Sequence, residues 1–222
     1  MIVADRKPLD EILDSIKDYK KIMLMACGGC VTVCFSGGSK AAGLLASQIK
    51  MARKKQGKAI EIIECTPERQ CEYEFIDELK NDIESVEAVL SIACGVGVQT
   101  MSEHLPQAIT IPGLNTKFMG YPVEHALWEE RCAGCGDCVL GWTGGYCPIA
   151  RCAKKLFNGP CGGSSDGKCE VDKDIECVWQ LIHDRLKQLN KLDNLTVVRG
   201  PKDWRTSTNA GQRKIKFEEA ML

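Results

Sequence analysis

Little in this sequence serves hydrolytic or acid–base chemistry. The 222 residues include three histidines, His104, His125 and His183, set far apart and outside any metal or triad motif, so they read as solvated or capping side chains. Excess charge of one sign is also missing. A net charge of −1 excludes the basic stripe of a nucleic-acid binder and the polybasic patch of a membrane-surface protein. The longest apolar runs, residues 22–27 and 88–93, fall well short of the about 20 residues that span a bilayer. Residues 1–21 carry charges throughout and lack the apolar core of a signal peptide, so the chain is expected to be cytoplasmic. Phosphate loops are incomplete: CGVGVQT offers Gly95 and Gly97 but neither a third glycine nor a Walker lysine, and CFSGGSK lacks the first P-loop glycine. No site for a nucleotide or flavin of its own is expected.

Cysteine is abundant instead. In a cytoplasmic chain the thiol pool opposes disulfides, so metal ligation becomes the leading use for its 14 cysteines. Seven of them, Cys132, Cys135, Cys138, Cys147, Cys152, Cys161 and Cys169, lie in one glycine-rich segment. Its opening, C-x2-C-x2-C followed by Cys147-Pro148, is like the bacterial ferredoxin run, although eight residues separate the third and fourth cysteines where a ferredoxin has three. Three thiolates converge on one cluster only if the backbone between them turns tightly, and Gly134 and Gly136 permit conformations that a Cβ disfavours. Seven ligands exceed one tetrad. A cluster on Cys132, Cys135 and Cys138 leaves the remainder for a second cluster or a zinc ion, since zinc accepts the same four-cysteine sets; with Cys177 there would be two full sets, but Cys177 falls on a helix predicted over residues 172–192 and reads as packing.

Upstream, the hydrophobic pattern alternates. Residues 7–19 are helical in period, 21–26 a buried strand, 40–55 a helix with Leu44, Leu45 and Ile49 on one face, 59–64 a strand, 74–83 a helix, 87–93 a strand, and 108–111 a fourth strand. Strands alternating with helices indicate an α/β fold with a Rossmann-like parallel sheet, whose loops at the carboxyl ends of the strands line one crevice. Cys27 and Cys30 follow the first of these strands, Cys65 and Cys71 the second, Cys94 the third. An N-terminal [4Fe–4S] site is therefore expected on Cys27, Cys30, Cys71 and Cys94, with Cys34 as the alternative ligand and Cys65 as a core residue. Residues 115–131 read as an exit from the sheet through Pro122 and a short helix, VEHALWEER. The resulting division is an α/β domain over 1–114, a metal module closed by a helix over 115–192, and an extended arm over 193–222 with isolated anchors at Trp204 and Phe217.

Taken together, EERCAGCGDCVLGWTGGYCPIARCAKKLFNGPCGGSSDGKCE, the preceding ACGGCVTVC, the RQC at residues 69–71 and ACGVGVQ resemble the MetV-type small iron–sulfur subunit of bacterial methylenetetrahydrofolate reductase. Related chains carry the region as a C-terminal extension of the reductase. The resemblance implies a non-catalytic electron-transfer subunit of an oxidoreductase acting on the CH–NH group of donors, in one-carbon metabolism and the methyl branch of acetogenesis in an anaerobe. Its partner would be a TIM-barrel subunit carrying FMN, with further electron-donor subunits behind it. Two [4Fe–4S] clusters are implied, with a zinc ion or third cluster as a further occupant of the module. The competing expectation is a zinc-stapled scaffold that carries no current.

Overall fold

Alternation of strand and helix is what the chain shows between residues 9 and 112. The N-terminal unit, Met1–Glu130, contains β1 (Ile2–Arg6), α1 (Leu9–Ser15), β2 (Lys21–Met25), α2 (Cys30–Val33), α3 (Ser39–Lys55), β3 (Glu61–Cys65), α4 (Tyr73–Asp77), α5 (Lys80–Glu84), β4 (Ala88–Ser91), α6 (Gly95–His104), β5 (Thr110–Pro112) and β6 (Leu114–Glu124), and β7 (Leu127–Cys132) runs from its end. The computed structural model from which these are read describes residues 1–207.

Strands β2 to β5 make a four-stranded sheet in the order β3-β2-β4-β5, parallel at each pairing. This is a doubly wound order, and its direction reverses between β2 and β4. The central strands are apolar runs because both faces are covered. Ile22 and Leu24 of β2 pack with Ile12, Ile16, Leu45 and Ile49 on one side, while Met23 and Met25 pack with Ile76, Ile83, Val89 and Met101 on the other. In α3 the buried face is Ala42, Leu45, Ala46, Ile49 and Arg53, and Leu44, expected on it, points to solvent.

Arg53 is the charged member of that face. Its guanidinium donates to the carbonyls of Ile16 (3.3 Å), Lys17 (2.7 Å), Tyr19 (2.9 Å) and, through Nε, Lys58 (3.3 Å), closing the open end of α1 with a cation. Removing it strands buried acceptors. Arg53→Met is expected to cost roughly 2–4 kcal/mol, and Arg53→Lys to recover only part of that because an ammonium lacks the planar fork. Hydrogen exchange of the β2 and β3 amides in the full chain reads this; protection within error of the parent would show that the carbonyls find water instead.

Three expectations need correcting. The segment 123–131 is not a helix: β6 and β7 form a hairpin, turning at Ala126 with φ of 65°, and Trp128 turns inward onto the core while Leu127 faces out. The reason is non-local, since β1 pairs antiparallel with β6, from Ile2 opposite Met119 to Arg6 opposite Leu114, in a second sheet ordered β1-β6-β7. A boundary at residue 114 would cut β6 from its partner, and the first unit extends to Glu130. The long helix over 172–192 is also shorter than its pattern.

In the second unit, from Arg131 onward, α7 (Pro148–Arg151) and α8 (Val178–Gln188) are the α-helices among the described residues. Val178, Trp179, Ile182 and Leu186 of α8 form a small core with Trp142, Tyr146, Cys152 and Cys177. Residues before α8 turn back through isolated β-bridges. Asp166 and Gly167, with φ of 50° and 75°, make a two-residue hairpin turn between Ser165 and Lys168, whose backbones exchange hydrogen bonds, and Lys168 bridges antiparallel to Glu176. No helix among the described residues is long and apolar enough to cross a membrane.

Candidate metal centres

Reversal of the strand order puts the first candidate set of cysteines where a doubly wound sheet opens its crevice, at the carboxyl ends of β2 and β4. Cys27 leaves β2, Cys71 lies in the loop after β3, and Cys94 is the N-cap of α6 after β4. Cys71 lies within the electrostatic reach of Cys27 and of Cys94. Burial pushes the Cys71 thiol up, and negative charge on Cys27, then on Cys94, pushes the same way. A cation among them reverses that penalty and holds the thiolates deprotonated. Cys30 stands exposed at the first residue of α2, three positions on from Cys27.

The loops carrying these residues are tied to each other. Gly28 donates its N–H to the carbonyl of Pro67 at 2.9 Å, and a Cβ on Gly28 would come within 3.1 Å of the Glu68 carbonyl, so the β2 and β3 loops touch along their backbones. Gln70, fully buried, fastens the rest: its Nε2 donates to Met25 O (3.0 Å) and Ala26 O (2.8 Å), and its Oε1 accepts from Ser91 Oγ (2.7 Å). Reading the sequence for ligands passed over Gln70. The signal was there, since an amide between Arg69 and Cys71 in a loop at a sheet edge is the side chain that can satisfy several strand-end carbonyls.

Cys34 and Cys65 are placed elsewhere. The Cys34 sulfur is buried, 3.1 Å from Ser36 Oγ and 3.6 Å from the Val31 carbonyl. Cys65 packs against the methionine side of the sheet, where burial, and next the charge of Asp82, pushes its thiol up to about 12. At neutral pH it is a protonated, apolar side chain.

In the second unit the glycines behave as their positions require: Gly134 and Gly136 have φ of 61° and 74°. Backbone amides point at sulfur, with Gly134 N–H on Cys132, Ala150 N–H on Cys147 and Gly163 N–H on Cys161, each at 3.4 Å. Hydrogen bonds to a ligand sulfur are among the features that tune a bound cluster. The unusual spacing before Cys147 is wound up rather than extended, through Trp142 N–H to Val139 O, Gly145 N–H to Leu140 O and Tyr146 N–H to Thr143 O, after which Cys147 caps α7 with Pro148 at its first position. Lys202, almost wholly buried, reaches the Asp137 carbonyl and stands 3.4 Å from its carboxylate, a cation beside the Cys135–Cys138 turn. Ser207 Oγ donates to Gly134 O at 2.9 Å, and Arg199 lies 4.7 Å over the Trp142 ring, so the described part of the arm packs along its own module. Trp204 is 54% exposed, and Phe217 lies outside the described residues.

None of the 14 cysteines is joined in a disulfide. Among the described residues no three or more Cys, His, Asp or Glu side chains are already gathered as a coordinating group. Residues 111–205 match a family described as methylene-tetrahydrofolate reductase C terminal. This part of the chain is similar to the C-terminal region of methylenetetrahydrofolate reductases. The match covers under half of the sequence, from β5 through the cysteine-rich segment to the Trp204 turn, and leaves β2, β3 and β4, with Cys27, Cys71 and Cys94 on the loops after them, outside it. Neither the curated proteins nor the solved structures compared with the chain gave a match.

Proposed function

We propose that this chain is an iron–sulfur electron-transfer subunit working with a methylenetetrahydrofolate reductase, passing electrons to the FMN of a TIM-barrel partner that reduces 5,10-methylenetetrahydrofolate to 5-methyltetrahydrofolate. The observation that carries the redox part is the placement of Cys27, Cys71 and Cys94 on the loops that follow β2, β3 and β4, at one edge of the parallel sheet. Relationship to the reductase family over residues 111–205 supports the substrate class.

In this reading Cys27, Cys30, Cys71 and Cys94 hold one [4Fe–4S] cluster, and Cys132, Cys135, Cys138 and Cys147 hold another. When bound, such clusters supply one-electron transfer at potentials set by charge, burial and hydrogen bonds to sulfur. The chain's own contribution is the setting. Gln70 holds the strand ends on which the first ligands stand, the amides of Gly134 and Ala150 reach sulfur in the second set, and Lys202 puts positive charge beside it.

Anaerobically purified full chain should be brown, contain iron and sulfide, and lose its visible absorbance on adding dithionite. It should not reduce methylenetetrahydrofolate until the flavoprotein partner is added. A colourless protein holding only zinc would instead support a scaffold, and turnover by the chain alone, without flavin, would overturn the assignment.

A further inference from the structure

The second unit holds a cavity of about 370 Å³ beside α8, within the roughly 300–1,000 Å³ of small-molecule sites. Its lining includes Trp142, the loop at 158–164, Trp179, Gln180 and His183 of α8, and the arm at 194–197. We propose that this cavity binds a planar heteroaromatic ring bearing an exocyclic amine, of the aminopurine type, with the ring against the tryptophans and the amine on Gln180 and His183. Neither incomplete phosphate loop takes part, since both lie in the first unit, so recognition here is of the ring.

Cross-ties hold the walls in place. Asn158 Nδ2 donates to Arg199 O at 2.9 Å, and Asn158 Oδ1 accepts the Arg199 N–H at 3.0 Å, so one amide ties the arm to the glycine-rich loop in both directions. Asn194 Nδ2 donates to Trp142 O at 3.0 Å, and Trp179 Nε1 donates to Leu156 O at 3.2 Å. The Arg199 guanidinium lies over the Trp142 ring. Walls fastened in this way keep the cavity open without a ligand, and less ordering is left for binding to drive.

The class of ligand follows from Asp184, which fixes two of the lining side chains. Gln180 Nε2 donates to Asp184 Oδ1 at 3.0 Å, and His183 Nδ1 stands 3.0 Å from the same oxygen. These contacts, that of His183 first, hold the Asp184 carboxyl below its ordinary range, so it is an ionised acceptor at neutral pH. A carboxylate only accepts, so each neighbour spends a donor on it. The Gln180 amide turns its NH2 to Asp184 and leaves Oε1 as an unspent acceptor among the described residues; the imidazole carries its proton on Nδ1 and leaves Nε2 as another. Residues 180 and 183 are three apart on α8, neighbours on the helix surface. An anionic group meets two acceptors there, whereas an amine has two hydrogens to give them. Tryptophan supplies the flat apolar surface on which a heteroaromatic base packs. The assignment does not rest on the electron-transfer reading.

Three nucleosides test it on the anaerobically purified full chain: adenosine, guanosine, and purine riboside, which has the same ring system without an amine. By calorimetry or saturation-transfer NMR, adenosine or guanosine should bind with a Kd of about 1 mM or tighter, and purine riboside about tenfold more weakly for want of the amine. Tighter adenosine would identify an amine beside a ring acceptor, and tighter guanosine an amine beside a ring N–H. Gln180→Leu and His183→Phe, both at exposed positions, should each weaken the amine-bearing nucleoside toward the purine riboside value and leave purine riboside unchanged. The site is refuted if neither aminopurine gives a signal at about 1 mM, or if purine riboside binds as well as they do. Binding untouched by both substitutions would place it elsewhere. Should the variants not fold, the ranking of the three nucleosides on the unaltered chain decides alone.

Discussion

Cys94→Ser should strip one cluster's worth of iron from the anaerobically purified chain, and Cys65→Ser should leave its iron intact. Both cysteines close parallel strands of the same sheet, so the contrast tests the tertiary placement rather than the spacing. Cys94, the N-cap of α6, follows β4 at the sheet edge where Cys27 follows β2 and Cys71 follows β3. Serine there offers a far poorer ligand for iron, and the remaining thiols lose the cation that offsets their mutual repulsion. Cys65 faces Met23, Met25 and Ile76 with its proton held to about pH 12. Its replacement brings a hydroxyl into an apolar setting at a cost of about 1–3 kcal/mol, without touching the metal. Iron and sulfide analysis of the two variants gives the answer, and equal iron loss would show that the second strand's ligand is misassigned.

A loss almost as large is expected at a residue that binds no metal. Gln70→Leu removes two donations to the strand-end carbonyls of Met25 and Ala26 and leaves the Ser91 hydroxyl without its acceptor, all in a fully buried setting. Met25 O keeps the N–H of Ile92 at 2.8 Å, so the penalty falls mainly on Ala26 O and Ser91 Oγ. At about 1–3 kcal/mol for each stranded group the variant should lose roughly 3–5 kcal/mol. Gly97 packs against Gln70 so closely that a Cβ on the glycine would lie 2.9 Å from Gln70 Cβ, and a branched leucine must also disturb the start of α6 beside Cys94. Iron occupancy at the first site should fall with stability. Urea unfolding of parent, Gln70→Leu, Ser91→Ala and the double variant measures the coupling; a Gln70→Leu loss under about 0.5 kcal/mol, with parental iron, would remove Gln70 from the account.

By itself the sequence determined the parallel sheet and the edge on which the first cysteines gather. Apolar runs in β2 and β4, separated by an amphipathic α3, leave few other ways to bury both faces of a strand, and residues directly after parallel strands share one edge. It also determined the tight turns at Gly134 and Gly136, because positive φ selects glycine locally. Tertiary structure decided what depends on a distant partner. Residues 123–131 are a hairpin because β1 pairs with β6 across more than a hundred residues, and no local period records that pairing. Cys34 turned to Ser36 and Val31 because a short helix ends there and directs its side chain into the core. Cys177 reads as a helix residue from its apolar spacing, yet it stands at the N-cap, because the backbone before it is held in a β-bridge to Lys168 and released into α8 one residue later. Periodicity reports which face is apolar; which cysteine turns toward its neighbours is fixed by where each element stops, and the elements that pack against it set that point.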